Sequence, residues 1–132
     1  LKYKGLNMKF LKGYFYKMMH RGDKNQKMRH PFLYIGNFKN KGIFIQFSSV
    51  KYDENGEIDY AHFDNEEISE IIDLDSNDGL EFHSRADLNT LQIIDLKKNN
   101  IVDLNIDMME KCLDESYEII LEKLSKTNYD EK

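Results

Sequence analysis

Arg29-His30-Pro31 sets a guanidinium and an imidazole directly before the only proline of the chain, and the apolar run Phe32-Leu33-Tyr34-Ile35 follows. Proline cannot donate to a sheet ladder, so it suits the first position of a strand, and it drives the residue before it into an extended conformation. Arg29 and His30 therefore stand at a strand mouth. An imidazole with an unperturbed pKa of about 6.5 takes and returns protons near neutral pH, and the planar fork of an arginine stabilises charge growing on an oxyanion. Strand alternation sends the two side chains to opposite faces unless the chain bends there, and a histidine before a proline is also an ordinary loop residue. A pair of hydroxyls, Ser48-Ser49, closes the apolar segment Gly42 to Phe47.

These groups need elements to hold them. Tyr14 to Met18, aromatic and apolar, is predicted as the first strand. The polar, basic stretch His20 to Met28 reads as an exposed loop. Phe32 to Ile35 and Gly42 to Phe47 read as two strands joined tightly through Gly36, Asn37 and Asn40. Asn55-Gly56, between the arms Val50 to Tyr52 and Ile58 to His62, predicts a hairpin with a two-residue turn. Ile68 to Leu74, Leu80 to Arg85 and Leu91 to Leu96 are further strands.

From Asn105 to Lys126 the period becomes helical: Met109, Cys112, Leu113, Tyr117, Ile120, Leu121 and Leu124 form one stripe. Asn105 or Asp107 is the expected cap, and Lys123 and Lys126 suit the negative end of the helix dipole. The expectation is an extension over 1–7 without functional weight, one domain over 8–126 and a frayed tail over 127–132. Strands followed by one helix predict a mainly β (α+β) fold: a small, strongly bent antiparallel sheet or barrel with a C-terminal amphipathic helix packed on it.

The net charge of -5 hides a division. From Leu1 to Lys51 twelve Lys or Arg face one acid, Asp23; from Tyr52 onward seven bases face twenty-three acids, so +11 stands against -16. A basic half attracts a polyanion by counterion release while the acidic half repels it elsewhere, although the halves can equally neutralise each other within one fold. The single cysteine, Cys112, excludes an internal disulfide and suits a reducing cytoplasm. His20, His30, His62 and His83 share no ligand spacing, so neither metal nor organic cofactor is expected. Asp73 to Gly79 resembles a calcium loop, yet its sixth place is Asp78 and its twelfth Ser84, where such loops carry glycine and glutamate. Arg21-Gly22-Asp23 spells an adhesion tripeptide, for which a cytosolic chain has no partner. With no apolar run of about eighteen residues and no signal-peptide order at the start, a soluble, cytoplasmic protein without membrane contact is expected.

From about Lys12 to Leu124 the order of pieces resembles the MazF/PemK/Kid family of bacterial type II toxin endoribonucleases, which share a small SH3-like barrel with CcdB. Lys12-Gly13-Tyr14 is similar to the family's opening into its first strand, and Arg29-His30-Pro31-Phe32-Leu33-Tyr34-Ile35 to its Arg-Pro pair and apolar strand. Ile43 to Phe47 with Ser48-Ser49 resembles a strand ending in Thr-Ser; Ser84-Arg85-Ala86-Asp87, Ile94-Asp95 and the helix Ile106 to Lys126 resemble the later pieces. In the family the arginine touches the proline, whereas here His30 holds that place and Arg29 lies one residue earlier.

The resemblance implies metal-independent cleavage of single-stranded RNA, with messenger RNA as the expected target. The 2'-hydroxyl attacks the adjacent phosphorus and leaves a 2',3'-cyclic phosphate and a 5'-hydroxyl. That reaction needs a base, an acid and donors for phosphoryl charge. It assigns Arg29, His30, Ser48 and Ser49 to catalysis, with Ser48 the better match to the family's threonine. Arg21, Lys24, Lys27, Arg85 and Asp87 fall to RNA binding, although Arg85 with Asp87 is equally readable as a structural ion pair. It further implies a homodimer, with Phe15, Phe32 and Phe44 on strands able to supply its face, and a cognate antitoxin that lays an acidic, extended segment in the basic groove. Two other readings stand beside it: a barrel of the same fold that binds RNA or protein without catalysis, and a CcdB-type gyrase poison, against which the polar C-terminal tail counts.

Overall fold

Three strands whose sequence is apolar on both faces form the centre of the molecule. The structure is a computed structural model that describes residues 9–19, 29–49, 52–57, 71–80, 84–88, 91–97 and 104–126. In chain order these contain β1 Tyr14–Met19, β2 Arg29–Phe38, β3 Lys41–Gln46, β4 Ser48–Ser49, β5 Ile71–Leu74, β6 Ser84–Asp87, β7 Gln92–Asp95, β8 Asp107–Lys111 and the helix α1 Asp114–Ser125. Arg21, Lys24, Lys27, the extension 1–7, the tail 127–132 and the hairpin arms at 50–51 and 58–62 lie outside the described residues.

The strands form an antiparallel five-stranded sheet in the order β7-β3-β2-β1-β8 and a three-stranded sheet in the order β4-β6-β5. The fold is thus mainly β with one C-terminal helix, and the ladders of the described strands do not close into a barrel. Alternation explains why β1, β2 and β3 read as almost continuous apolar runs: both faces of their sheet are covered. Phe15, Leu33 and Ile45, in register across three strands, face a core shared with Phe47, Leu74, Ala86, Leu88, Ile120 and Leu124 of the small sheet and helix side. Tyr16, Met18, Phe32, Tyr34 and Phe44 face a second core closed by Phe10, Leu104 and Ile106. There Phe10 meets Tyr16 edge-on at 4.8 Å and Phe44 at 5.3 Å between ring centroids, and the Leu11 N–H donates to the Tyr16 hydroxyl at 2.7 Å. Phe15, Phe32 and Phe44 are at most 1% exposed, so the expected dimer face is core of one chain instead.

One of the two expected turns keeps its character and the other changes. The β2–β3 connection is the two-residue one: Lys39 and Asn40 both take positive φ (49° and 68°) between the paired Phe38 and Lys41, as a twisted hairpin requires. At Asn55-Gly56 only Gly56 is left-handed (φ 80°), and Asp53 N–H donates to the Glu57 carbonyl across a three-residue loop. The Asp53 carboxylate accepts from the N–H groups of Asn55 and Glu57 and so steadies that loop.

The helix is shorter than its stripe. Asn105 turns at φ 52°, and Asp107–Lys111 pairs with β1 as an edge strand, so neither Asn105 nor Asp107 caps the C-terminal helix. Leu113 precedes the first turn without a side-chain cap; its N–H donates to the Asp78 carbonyl, and Asp114 and Glu115 complement the helix dipole. The rejected calcium loop supplies this partner. Ser76–Asp78 is a 3-10 turn in which Asp75 and Asp78 cap each other reciprocally, and Asp78 also accepts from the Ser116 hydroxyl. Beside this junction, burial, reinforced by the Asp78 and Asp114 carboxylates, pushes the Cys112 thiol up to about 12.

Gly79 ends that turn at φ 104°, and a Cβ there would lie 2.7 Å from the Lys111 carbonyl oxygen. Gly79→Ala is expected to cost about 1–3 kcal/mol in backbone strain, with the backbone clash adding to it. Gly56→Ala, also left-handed but with nothing within 4 Å, carries the strain alone. Urea midpoints that fall equally for both variants would contradict a rigid contact between the turn and β8.

Candidate functional site

The sheet seam forms where β3 leaves one ladder for another. Phe32 pairs with Gln46 and Leu33 with Ile45, and the Phe47 N–H donates to the Pro31 carbonyl at 2.8 Å, so the β2–β3 ladder reaches Pro31. Continued by one residue, that register sets Ser48 beside His30. The chain passes instead into the small sheet, where Ser48 pairs with Arg85 and Ser49 with Ser84. Phe47 and Ala86 point into the core shared by the two sheets, so alternation turns Ser48 and Arg85 away from it. His30, opposite Met18 and two residues from Phe32, also lies on the face turned from that core. Ser48 and Arg85 are thus paired, and His30 stands one residue from the Pro31 carbonyl that accepts from Phe47.

Arg29 parts company with them. It pairs by register with Met19, falls on the opposite face from His30, and donates from Nη1 to the Asp107 carboxylate and, at 3.1 Å, to the Asn105 carbonyl. Lys17, the register partner of both Pro31 and Asp107, shares that row. Sequence reasoning missed Asp107 as anything but a helix cap; its only sign was an acid beside an apolar run, which fits either role.

Burial sorts the others. His30 and Ser48 are half-buried, and the Nε2 atom of His30 is enclosed by protein. Arg85 is 4% exposed with Nη1 enclosed, so its guanidinium stands behind the surface. Ser49 and Asp87 are placed by backbone register alone, Asp87 opposite Ile71, two pairs along from Asp73 opposite Arg85. Among the described residues no group of three or more His, Cys, Asp or Glu is placed to hold a metal ion, and no helix is long and apolar enough to cross a membrane.

Chemically, the seam offers an imidazole one residue before Pro31 and a hydroxyl one residue after Phe47, with a cationic row of Lys17 and Arg29 near the same strand end. That combination can move a proton and hold an anion. No family model and no curated protein matches this chain.

Proposed function

We propose that the protein is a metal-independent endoribonuclease of the MazF/PemK kind, acting on single-stranded RNA as the toxin of a toxin-antitoxin pair. The observation that carries this reading is the Phe47–Pro31 hydrogen bond, which holds the residue before Ser48 against the residue after His30. In this reading His30 takes the 2'-hydroxyl proton or returns one to the leaving 5'-oxygen, and the Ser48 hydroxyl donates to a phosphoryl oxygen. Arg85 orients the Ser48 strand from behind, and Arg29 with Lys17 meets a neighbouring phosphate rather than the scissile one.

The barrel of that family belongs to the same proposal, supported by β3 and β4 lying in two sheets on either side of Phe47. So do cytoplasmic action, a cognate antitoxin with an acidic extended segment, and a homodimer. For the last, the exposed apolar side chains on edge strands include, among the described residues, Ile93 and Met108, each 42% exposed. RNA binding without cleavage is the second reading, favoured by the engagement of Arg29 with Asp107.

The test is purified protein incubated with one RNA sequence, single-stranded or annealed to its complement. A nuclease that reads splayed bases cuts the single strand and spares the duplex. Equal cutting of both would refute the assignment, and binding without cutting would select the second reading.

A further inference from the structure

Arg29 reaches across a whole strand to its partners. β1 lies between β2 and β8, a span of about 10 Å at ordinary strand spacing, and the guanidinium crosses it to the Asp107 carboxylate and the Asn105 carbonyl. Both bonds use the same terminal nitrogen, Nη1; among the described residues Nε and Nη2 carry no hydrogen bond. The left-handed Asn105, φ 52°, aims its carbonyl at this nitrogen just before β8 begins. The Arg29 and Asp107 side chains are 26% and 27% exposed, so the pair sits at the surface and contributes little to stability.

The geometry points to Asp107 as a positioning residue: with the Asn105 carbonyl it grips one arm of Arg29 and turns the remaining edge of the guanidinium toward a phosphate of single-stranded RNA. This rests on the RNA reading above. A fork already fixed at one arm loses less side-chain entropy on binding than a free arginine, and its Nε–Nη2 edge matches two phosphate oxygens. Asp107 therefore favours RNA binding although it carries the same sign of charge as the ligand.

That sign makes the test decisive. Asp107→Asn, Asp107→Glu and the charge-matched control Asp114→Asn, at an exposed acid bridged to Lys111, are compared in the full chain. The probes are a mixed-sequence single-stranded RNA with 2'-O-methyl groups, which cannot be cleaved, and its unmodified counterpart. Removing a negative charge should by itself tighten RNA binding, as expected for Asp114→Asn. Asp107→Asn is expected instead to weaken binding of the methylated RNA about tenfold, the order of one charge-assisted hydrogen bond, and to raise KM with kcat little changed. Asp107→Glu should recover most of the loss. Asp107→Asn that binds as tightly as wild type or tighter overturns the positioning role. Wild-type protein that binds neither RNA overturns the RNA reading itself, and with it a phosphate as the ligand of Arg29.

Discussion

His30→Ala is expected to lower the rate of RNA cleavage on the order of 10²-fold to 10⁴-fold, the span of one proton-transfer group, with RNA affinity little changed. The imidazole is assigned the proton because it stands beside Pro31, which Phe47 holds at the seam, while Arg29 is turned to Asp107 on the other face. Arg29→Ala should differ in kind: affinity and rate both fall, and the deficit shrinks as salt rises because a phosphate contact is lost. Single-turnover rates with saturating enzyme separate the two effects. An unchanged rate for His30→Ala beside an inactive Arg29→Ala would move the chemistry to the arginine and leave His30 as a residue that merely precedes a proline.

Phe47→Ala is expected to cost about 3–5 kcal/mol, the usual range for emptying a buried phenylalanine site. Phe47 is fully buried, meets Phe15 edge-on at 5.6 Å between centroids, and stands between β3 and β4, so its ring packs where the two sheets join. Its backbone N–H also fixes the seam at Pro31. Loss of the ring should lower the denaturation midpoint and, in whatever remains folded, loosen Ser48 relative to His30. Tyr52→Ala, at an exposed aromatic, provides the comparison and should leave stability nearly unchanged. A Phe47→Ala protein as stable as wild type would show that the sheets are joined elsewhere.

The legible parts of the sequence were those where one physical pattern had one outcome. Phe32 to Ile35 and Gly42 to Phe47 could bury two faces only as central strands, and Pro31 could stand only near a strand's start; both lie where those limits put them. Asp107 to Cys112 was not legible in this way. Met109, Cys112 and Leu113 recur at spacings that continue the stripe of Tyr117, Ile120 and Leu124, yet the unpaired edge of β1 captured Asp107–Lys111 as a strand. The Asn55-Gly56 turn was misjudged because Asn-Gly serves both a two-residue turn and the end of a longer loop, while the β2–β3 connection is tight as expected, although Lys39 carries no glycine-like signal for its positive φ.

At the candidate site, Pro31 and the apolar runs foretold that β2 and β3 would adjoin, but not that Arg29 would be held by a carboxylate seventy-eight residues away. Such a long-range ion pair leaves no local pattern. Nor did the charge of Arg85 reveal its burial: a basic residue within four residues, Ser84–Asp87, reads as surface until the strand is known to lie between β4 and β5.

The central claim is that this chain cleaves RNA with its own side chains. A long, mixed-sequence single-stranded RNA incubated with the purified protein in EDTA, followed by mapping of the new ends, tests it most directly. The account predicts cleavage at a short recurring sequence, undiminished by the chelator, with 5'-hydroxyl and 2',3'-cyclic phosphate ends. RNA left intact, cutting abolished by EDTA, or products bearing 5'-phosphates would contradict it.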